Sequence, residues 1–417
     1  MNSYLIFILA ILLLSYVLEL AVATLNLSFL RPELPAECVD FYDTEQYRRS
    51  REYIRTTTIF SQIQATVGLV VTLAFVLAGG FNLVDGVARA FGFSSIPTGL
   101  IFCGLLALLS SLVSLPFSIY STFVIEQRFG FNTTTVATFI TDGLKAILLT
   151  VVLGGPLLAG VLWFFETSGA LAWLYCWIAA VVFVLVVQFL APVLIMPLFN
   201  KFIPLTEGEL RNAIAKYAAD QKFALQGIYT MDGSKRSTRA NAFFTGFGRF
   251  RRIVFFDTLM EKLSTSEIVA VLAHEMGHYK LKHTLSMMAI SVLQMGFMFF
   301  ILSLFLNNPE LFDAFGMENL SIYASLIFFG FLYSPISTLV AIGFNAFSRR
   351  NEYQADQFAV RTCADAESLI SGLKKLTVSN LSNLTPHPFA VFLYYSHPPI
   401  LARIAALRKA RGNGSEE

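Results

Sequence analysis

Charge is scarce in this sequence. Only 14% of the 417 residues are Asp, Glu, Lys or Arg against 55% hydrophobic, with a mean hydropathy of +0.64. That balance excludes an ordinary soluble protein of this length. Cysteine is also sparse: Cys38, Cys103, Cys176 and Cys363 lie far apart with no Cys-x-x-Cys pair, which excludes a disulfide framework and a thiolate zinc cage. A net formal charge of +2 leaves no electrostatic footprint for nucleic acid, and none is expected as a partner. No internal repeat or low-complexity tract is present. Met1-Asn2-Ser3 lacks the basic side chain of a signal peptide, and the apolar run behind it is longer than a signal core. The first span is therefore expected to stay in the membrane rather than be cleaved after Ala21-Val22-Ala23.

What the chain has instead is long apolar runs. Seven stretches of about 20 residues or more, enough to cross a bilayer, lie at Tyr4 to Leu25, Ile59 to Gly80, Thr98 to Ile125, Ile147 to Phe165, Leu171 to Leu198, Thr284 to Leu306 and Ser321 to Asn345. Basic residues test the count independently. With seven crossings, the segments 26 to 58, 126 to 146, 199 to 283 and the tail after 346 share one side, and they hold all of the 30 lysines and arginines except Arg89. Since cytoplasmic loops carry the positive excess, the N-terminus is expected outside and the C-terminus in the cytoplasm. Glu19, inside the first span, is expected to face protein, water or the interface rather than lipid. The Asn-x-Ser/Thr triplets at Asn132 and Asn380 fall on the cytoplasmic side, where they carry no meaning for glycosylation.

The chain accordingly divides into five N-terminal spans (1–198), a polar segment (199–283), two further spans (284–345) and a polar tail (346–417). The two polar segments flank the last two spans and can meet on one face. In the first, Glu207 to Gln221 reads as an amphipathic helix, and Gly227 to Met231 and Ile253 to Phe256 as short strands. Ser264-Thr265-Ser266-Glu267 is a capping box, and the helix it opens carries His274-Glu275-Met276-Gly277-His278.

His-Glu-x-x-His on a helix places two imidazoles on one face, able to grip one metal ion, with Glu275 beside them to activate water. The pattern is that of a zinc peptidase, with one Zn2+ expected per chain and lost on chelation. If the helix ran on into the sixth span, at about 1.5 Å per residue, the metal would sit close to the membrane. A third ligand is needed. Thr284 stands where a metzincin has its third histidine, which excludes that subclass. A gluzincin takes a glutamate from a second helix, and Asn351-Glu352-Tyr353-Gln354-Ala355-Asp356 supplies one. Glu352 can ligate while Asp356, on the same face, hydrogen-bonds the outer nitrogen of a ligand histidine. Read alone, that segment is an ordinary solvated acidic face. Asn241-Ala242-Phe243-Phe244 could be an edge strand to which an extended peptide adds, or simple core packing. His397, in Ser396-His397-Pro398-Pro399, could donate to the developing oxyanion, or merely belong to a turn. His283 and His387 have no partner at ligand spacing and read as structural.

These segments together resemble the integral-membrane zinc metallopeptidases of the type I CaaX prenyl endopeptidase family. The likeness runs from about residue 124 to 404. It is carried by Val124 to Asn132, Pro197 to Phe202, Asp232 to Ser237, Asn241 to Gly246, Arg252 to Leu259, His274 to His278, Asn351 to Asp356, and Ser396 to Arg403. Residues 1–120 match in hydropathy more than identity. Ser237-Thr238-Arg239-Ala240 stands where eukaryotic members carry His-Ser before Asn-Ala. The resemblance implies an α-helical polytopic membrane protein: seven helices around a chamber, with a small α+β, gluzincin-like zinc metallopeptidase domain at the cytoplasmic end. It implies His274, His278 and Glu352 as ligands, Glu275 as base, Asp356 behind a ligand, Asn241 and Ala242 holding substrate, His397 as oxyanion donor, and Arg403 near the cleft as a further substrate contact.

The expected reaction is removal of the aaX tripeptide from prenylated CaaX proteins or peptides. The alternative is a broader bacterial quality-control or peptide-trimming peptidase with no prenyl requirement. Short loops favour a bacterial inner membrane, or the endoplasmic reticulum in a eukaryote. Lipid bilayer and peptide or prenylated protein are the expected partners, with no obligate protein partner evident. A seven-span transporter or receptor with a structural metal is the rival from another class. It fits poorly, because the motif lies at the membrane edge and no repeated halves exist.

Overall fold

The computed structural model describes residues 2–223, 225–245, 252–363 and 365–413; Gly246, the end of one segment quoted above, lies outside them. Seven helices are long and apolar enough to cross a membrane: Ser3–Ser28, Thr44–Leu77, Ser95–Glu126, Val136–Thr167, Gly169–Phe199, His283–Phe305 and Ile322–Cys363. Their number agrees with the apolar runs. The second and seventh extend well past their apolar cores, with a polar first turns' worth of sequence from Thr44 and a polar last stretch to Cys363. A helix once nucleated propagates through polar residues of good helix propensity, so hydropathy alone does not mark its ends.

Glycine and proline act differently from a simple break. π-helical turns at Ser121–Glu126, Thr150–Gly154 and Ala191–Ile195 lie beside Pro116, Pro156 and Pro192. A proline removes one backbone donor and crowds the preceding turn; widening the turn accommodates that while the helix continues across the bilayer.

Little of each span is buried within the protein, from 6% of the most apolar window in the second, third and fifth to 22% in the seventh. Seven helices packed solid would each bury an inward stripe, so their inner faces line open space. Between the second and third spans a cavity of about 340 Å³ is lined by Ser61, Gln64 and Ser114 among apolar neighbours. Polar side chains at such depth belong on an inner face rather than in lipid. One end of the ring is closed by Phe81, Phe312, Phe315 and Phe328. There Asp85, almost fully buried, accepts hydrogen bonds from Tyr323 (2.5 Å) and Arg89 (2.7 Å).

The opposite end carries a four-stranded sheet and its helices. The strands are β1 (Phe202–Pro204), β2 (Gly227–Met231), β3 (Ala242–Thr245) and β4 (Arg252–Phe256), in the order β1-β2-β4-β3. β2 and β4 are parallel, and the outer pairings are antiparallel. The strand β1, three residues ending in Pro204, is too short to announce itself in the sequence. One core joins this sheet to the helix Glu209–Asp220 and the motif helix Thr265–Lys280, through Ile214, Phe255, Ile268, Leu272, Ala273 and Met276. Arg239, just ahead of β3, pairs with Glu126 of the third span at 2.9 Å and with Tyr53 of the second. Arg236 forks onto Asp142 of the fourth span at 2.7 and 3.0 Å. These contacts, the second a bidentate fork, fix the sheet against the spans.

Candidate metal centre

The motif helix begins as its sequence requires. Ser264 accepts from the Glu267 backbone N–H, and the Glu267 carboxylate accepts from the Ser264 N–H at 2.7 Å. Its other end departs from expectation. The helix stops at Lys280 instead of running into the sixth span; Lys282 takes a left-handed conformation with φ of 59°, and a new helix starts at His283. The turn folds His283 back onto the end of the motif helix.

His274 and His278, one turn apart, aim their Nε2 atoms at each other across 3.2 Å. The long helix Ile322–Cys363 lies against them and brings in Glu352. Its Oε2 is 3.4 Å from Nε2 of His274, and its Oε1 is 3.3 Å from Nε2 of His278. Ligand atoms of these three residues all lie within 4.8 Å of one another. Gly277 permits this approach, since its missing side chain leaves the two helix backbones in contact at Ala355.

The donor set fits a small divalent cation. Two imidazole nitrogens face each other at hydrogen-bond distance, which two lone pairs tolerate only around a proton or cation. Glu352 Oε2 is buried without a hydrogen bond, His274 and Arg403 each standing 3.4 Å away, and a cation between the oxygen and the imidazoles would satisfy it. Burial would lower the affinity of His274 for a proton, but the neighbouring carboxylates of Asp356 and Glu352 outweigh it and lift the pKa to about 9. The pocket therefore draws positive charge. Two histidines and one carboxylate are the ligand types of a three-residue site with an open position.

The outer nitrogens are also engaged. Nδ1 of His274 is 2.8 Å from Asp356. Nδ1 of His278 is 3.2 Å from Nδ1 of His283, which the sequence reading assigned no part in the site. Arg403, expected as a substrate contact near the cleft, lies behind the ligands. Its guanidinium is buried, donating to both oxygens of Asp356 at 2.9 and 2.6 Å and lying 3.4 Å from Glu352. The Asp356 fork takes two of its five N–H donors and Nη1 faces Glu352, so the guanidinium is turned into the cluster.

Glu275 is half-buried beside the ligand pair, close enough to Arg403 for its charge to act there. His397 reaches the cluster from the exposed side. Its Nε2 is 3.3 Å from Glu352 Oε1 with the side chain 64% exposed, and its Nδ1 is 2.9 Å from the Ser396 hydroxyl. Asn241 precedes β3, which sits at the sheet edge; Ala242 and Phe244 pack on the core that carries Ala273 and Met276. Asn380, read as a meaningless triplet, holds this approach: its side chain accepts from the Ala240 N–H at 3.3 Å and donates to the Ala240 carbonyl at 3.4 Å. His387 caps a short helix by accepting from the Phe389 N–H, away from the cluster.

Two family models cover most of the chain. Residues 24–201 match "CAAX prenyl protease N-terminal, five membrane helices", and residues 204–411 match "Peptidase family M48". The chain is 37% identical to the CAAX prenyl protease 1 homolog of Arabidopsis thaliana, over 90% of each chain. It is 36% identical to CAAX prenyl protease 1 of Saccharomyces cerevisiae, over 90% of this chain and 88% of that one, and 32% identical to a human homolog. The crystal structure of S. mikatae Ste24p superposes with a TM-score of 0.93 at 33% identity, covering 98% of this chain and 99% of that one.

Proposed function

Because this chain belongs to peptidase family M48, with a CAAX prenyl protease N-terminal region ahead of its peptidase region, we propose that it removes the aaX tripeptide from prenylated CaaX proteins, using one zinc ion. It is a multi-span membrane metalloendopeptidase. The observation that carries the finer reading is the convergence of His274, His278 and Glu352 at the end of a ring of apolar helices, where a peptide and a lipid chain attached to it can be accommodated together. A broader peptide-trimming activity lacks that reason for a lipid-accessible interior.

His274, His278 and Glu352 would hold the zinc, with Asp356 orienting His274. When bound, zinc supplies the positive charge that polarises the scissile carbonyl and acidifies water. Glu275 takes the proton from the attacking water and returns it to the leaving amine. His397, half in solvent at the mouth, donates from Nε2 to the oxyanion that forms on the substrate. Asn241 and Ala242 present the edge of β3, to which an extended peptide adds by main-chain hydrogen bonds. Arg403 holds Asp356 and Glu352 in place rather than touching substrate.

Five spans to residue 198, peptidase segments at 199–283 and 346–417, and two spans between them serve as the working division. The concentration of basic residues on one side supports a cytoplasmic peptidase end. Relatives from a plant, a yeast and a human support an endoplasmic reticulum membrane over a bacterial one.

The test is mass spectrometry of two matched peptides, one farnesylated at a CaaX cysteine and one bare, incubated with the purified protein and with Glu275→Gln as blank. Loss of three residues from the farnesylated peptide alone supports the proposal. Cleavage of both, or at internal sites only, replaces it with a broader peptidase.

A further inference from the structure

The two ligand histidines are held from behind by different chemistry. Behind His274 stands a carboxylate, Asp356. Behind His278 stands His283, and behind His283 stands a neutral amide: Nε2 of His283 is 3.0 Å from Oε1 of Gln354. His283 is buried. Gln354 lies on the same long helix as Glu352 and Asp356, midway between them.

We infer that Gln354 and His283 form a relay that fixes the tautomer of His278 and so presents its Nε2 lone pair to the metal. The inference rests on the ligand reading above and deepens it. Its logic is one of donors and acceptors. An amide oxygen can only accept, so His283 must donate from Nε2. A neutral imidazole with its hydrogen on Nε2 has a lone pair on Nδ1. Facing that lone pair at 3.2 Å, His278 must donate from its own Nδ1, which leaves its Nε2 free of hydrogen on the side of His274 and Glu352. With the amide reversed, every step inverts, and a hydrogen on Nε2 of His278 points into the ligand cluster. Only the oxygen-facing orientation of Gln354 is compatible with ligation.

The left-handed residue Lys282 makes the relay possible, by ending one helix and starting the next at His283. A continuous helix would place His283 five residues beyond His278 on a diverging face. His283 and Gln354 are positioning residues; neither reaches the ligand cluster itself.

The experiment measures zinc affinity of the full-length, detergent-purified protein against a chelating indicator, alongside the melting temperature of the metal-free form. His283→Leu removes the acceptor and is expected to weaken zinc by about 10–100-fold. His283→Asn restores it, because the Asn oxygen is attached to Cγ as the His Nδ1 is; affinity should return to within about threefold of wild type. Gln354→Met is expected to weaken zinc in the wild-type background and to have no effect in His283→Asn, since the relay's second link is then bypassed. Wild-type affinity in His283→Leu, or equal losses in the Leu and Asn variants with equal losses of metal-free stability, would overturn the relay in favour of plain packing. His278→Ala is the separate check on the ligand reading: if it keeps zinc, that reading fails, whatever His283 does.

Discussion

Gly277 and Ala355 bring the motif helix and the long helix into backbone contact. A Cβ placed on Gly277 would lie 3.0 Å from the Ala355 Cα and 3.2 Å from its carbonyl oxygen. Both are main-chain atoms of a helix, unable to turn aside as a flexible side chain would. The contact matters because His278 is the next residue on one helix and Glu352 lies less than a turn from Ala355 on the other.

Gly277→Ala is therefore expected to destabilise the peptidase end by about 1–3 kcal/mol, the usual cost of overpacking, and to weaken zinc by parting Glu352 from the histidines. The gain in helix propensity from Gly to Ala, about 1 kcal/mol at most, offsets only part. Differential scanning of the metal-free protein and zinc competition check the two effects. A variant matching wild type in both would show that the helices have slack at this point.

Arg403 separates a structural role from a substrate role. Its fork on Asp356 is buried at both partners, so Arg403→Ala leaves a buried carboxylate with His274 as its remaining partner, at a cost of up to about 3–5 kcal/mol. Metal-free melting should fall, and zinc affinity with it, because Asp356 then orients His274 less firmly. If Arg403 instead bound substrate, KM would rise with melting and zinc affinity unchanged. Arg403→Lys, which cannot fork onto both oxygens, is expected to fall between wild type and Ala on melting.

Much of this arrangement was legible in the sequence, and for identifiable reasons. Period and length marked the seven spans; the i, i+4 spacing marked both His274 with His278 and Glu352 with Asp356; the capping box at Ser264 marked where the motif helix starts. What escaped depended on contacts between distant elements. The partner of His283 is 71 residues away at Gln354, and no local pattern signals it. The break at Lys282 was hidden because lysine is an ordinary helix residue whose left-handed conformation is chosen by the packing of two helices rather than by its own preference. The fork of Arg403 on Asp356 had no signal either, since spacing shows which residue types can meet but not which of them fill each other's bonds.

Glu267 makes the start of the motif helix sensitive to pH. Burial raises its pKa, but hydrogen bonds from Lys375, Ser371 and the Ser264 backbone outweigh burial and hold the carboxyl below the usual range. A folded pKa below the unfolded one gives stability that is present above the unfolded value and fades as pH falls through the folded value. Glu267→Gln should thus cost about 1 kcal/mol near neutral pH, typical of a lost cap. Its melting temperature should approach that of wild type below about pH 4. A gap between the two proteins that stays constant down to pH 3 would assign the loss to packing instead of charge.

Glu275 and Glu352 both act on the charge of Arg403, yet removing their charge should have separable consequences. Glu352 supplies both oxygens facing the histidines and is buried without a hydrogen bond on Oε2; Glu352→Gln puts an amide where a ligand oxygen is needed and should abolish zinc binding, activity following. Glu275 is the proton carrier, and Glu275→Gln should keep about one zinc per chain while lowering kcat by about 10²–10⁴-fold, the range general-base groups contribute. Chelation of wild type should reproduce the first variant and not the second, with activity restored by added zinc. The decisive pair of numbers is metal content and kcat for each variant. Zinc lost in Glu275→Gln would make that residue part of the binding site, and full activity in Glu275→Gln would require another base.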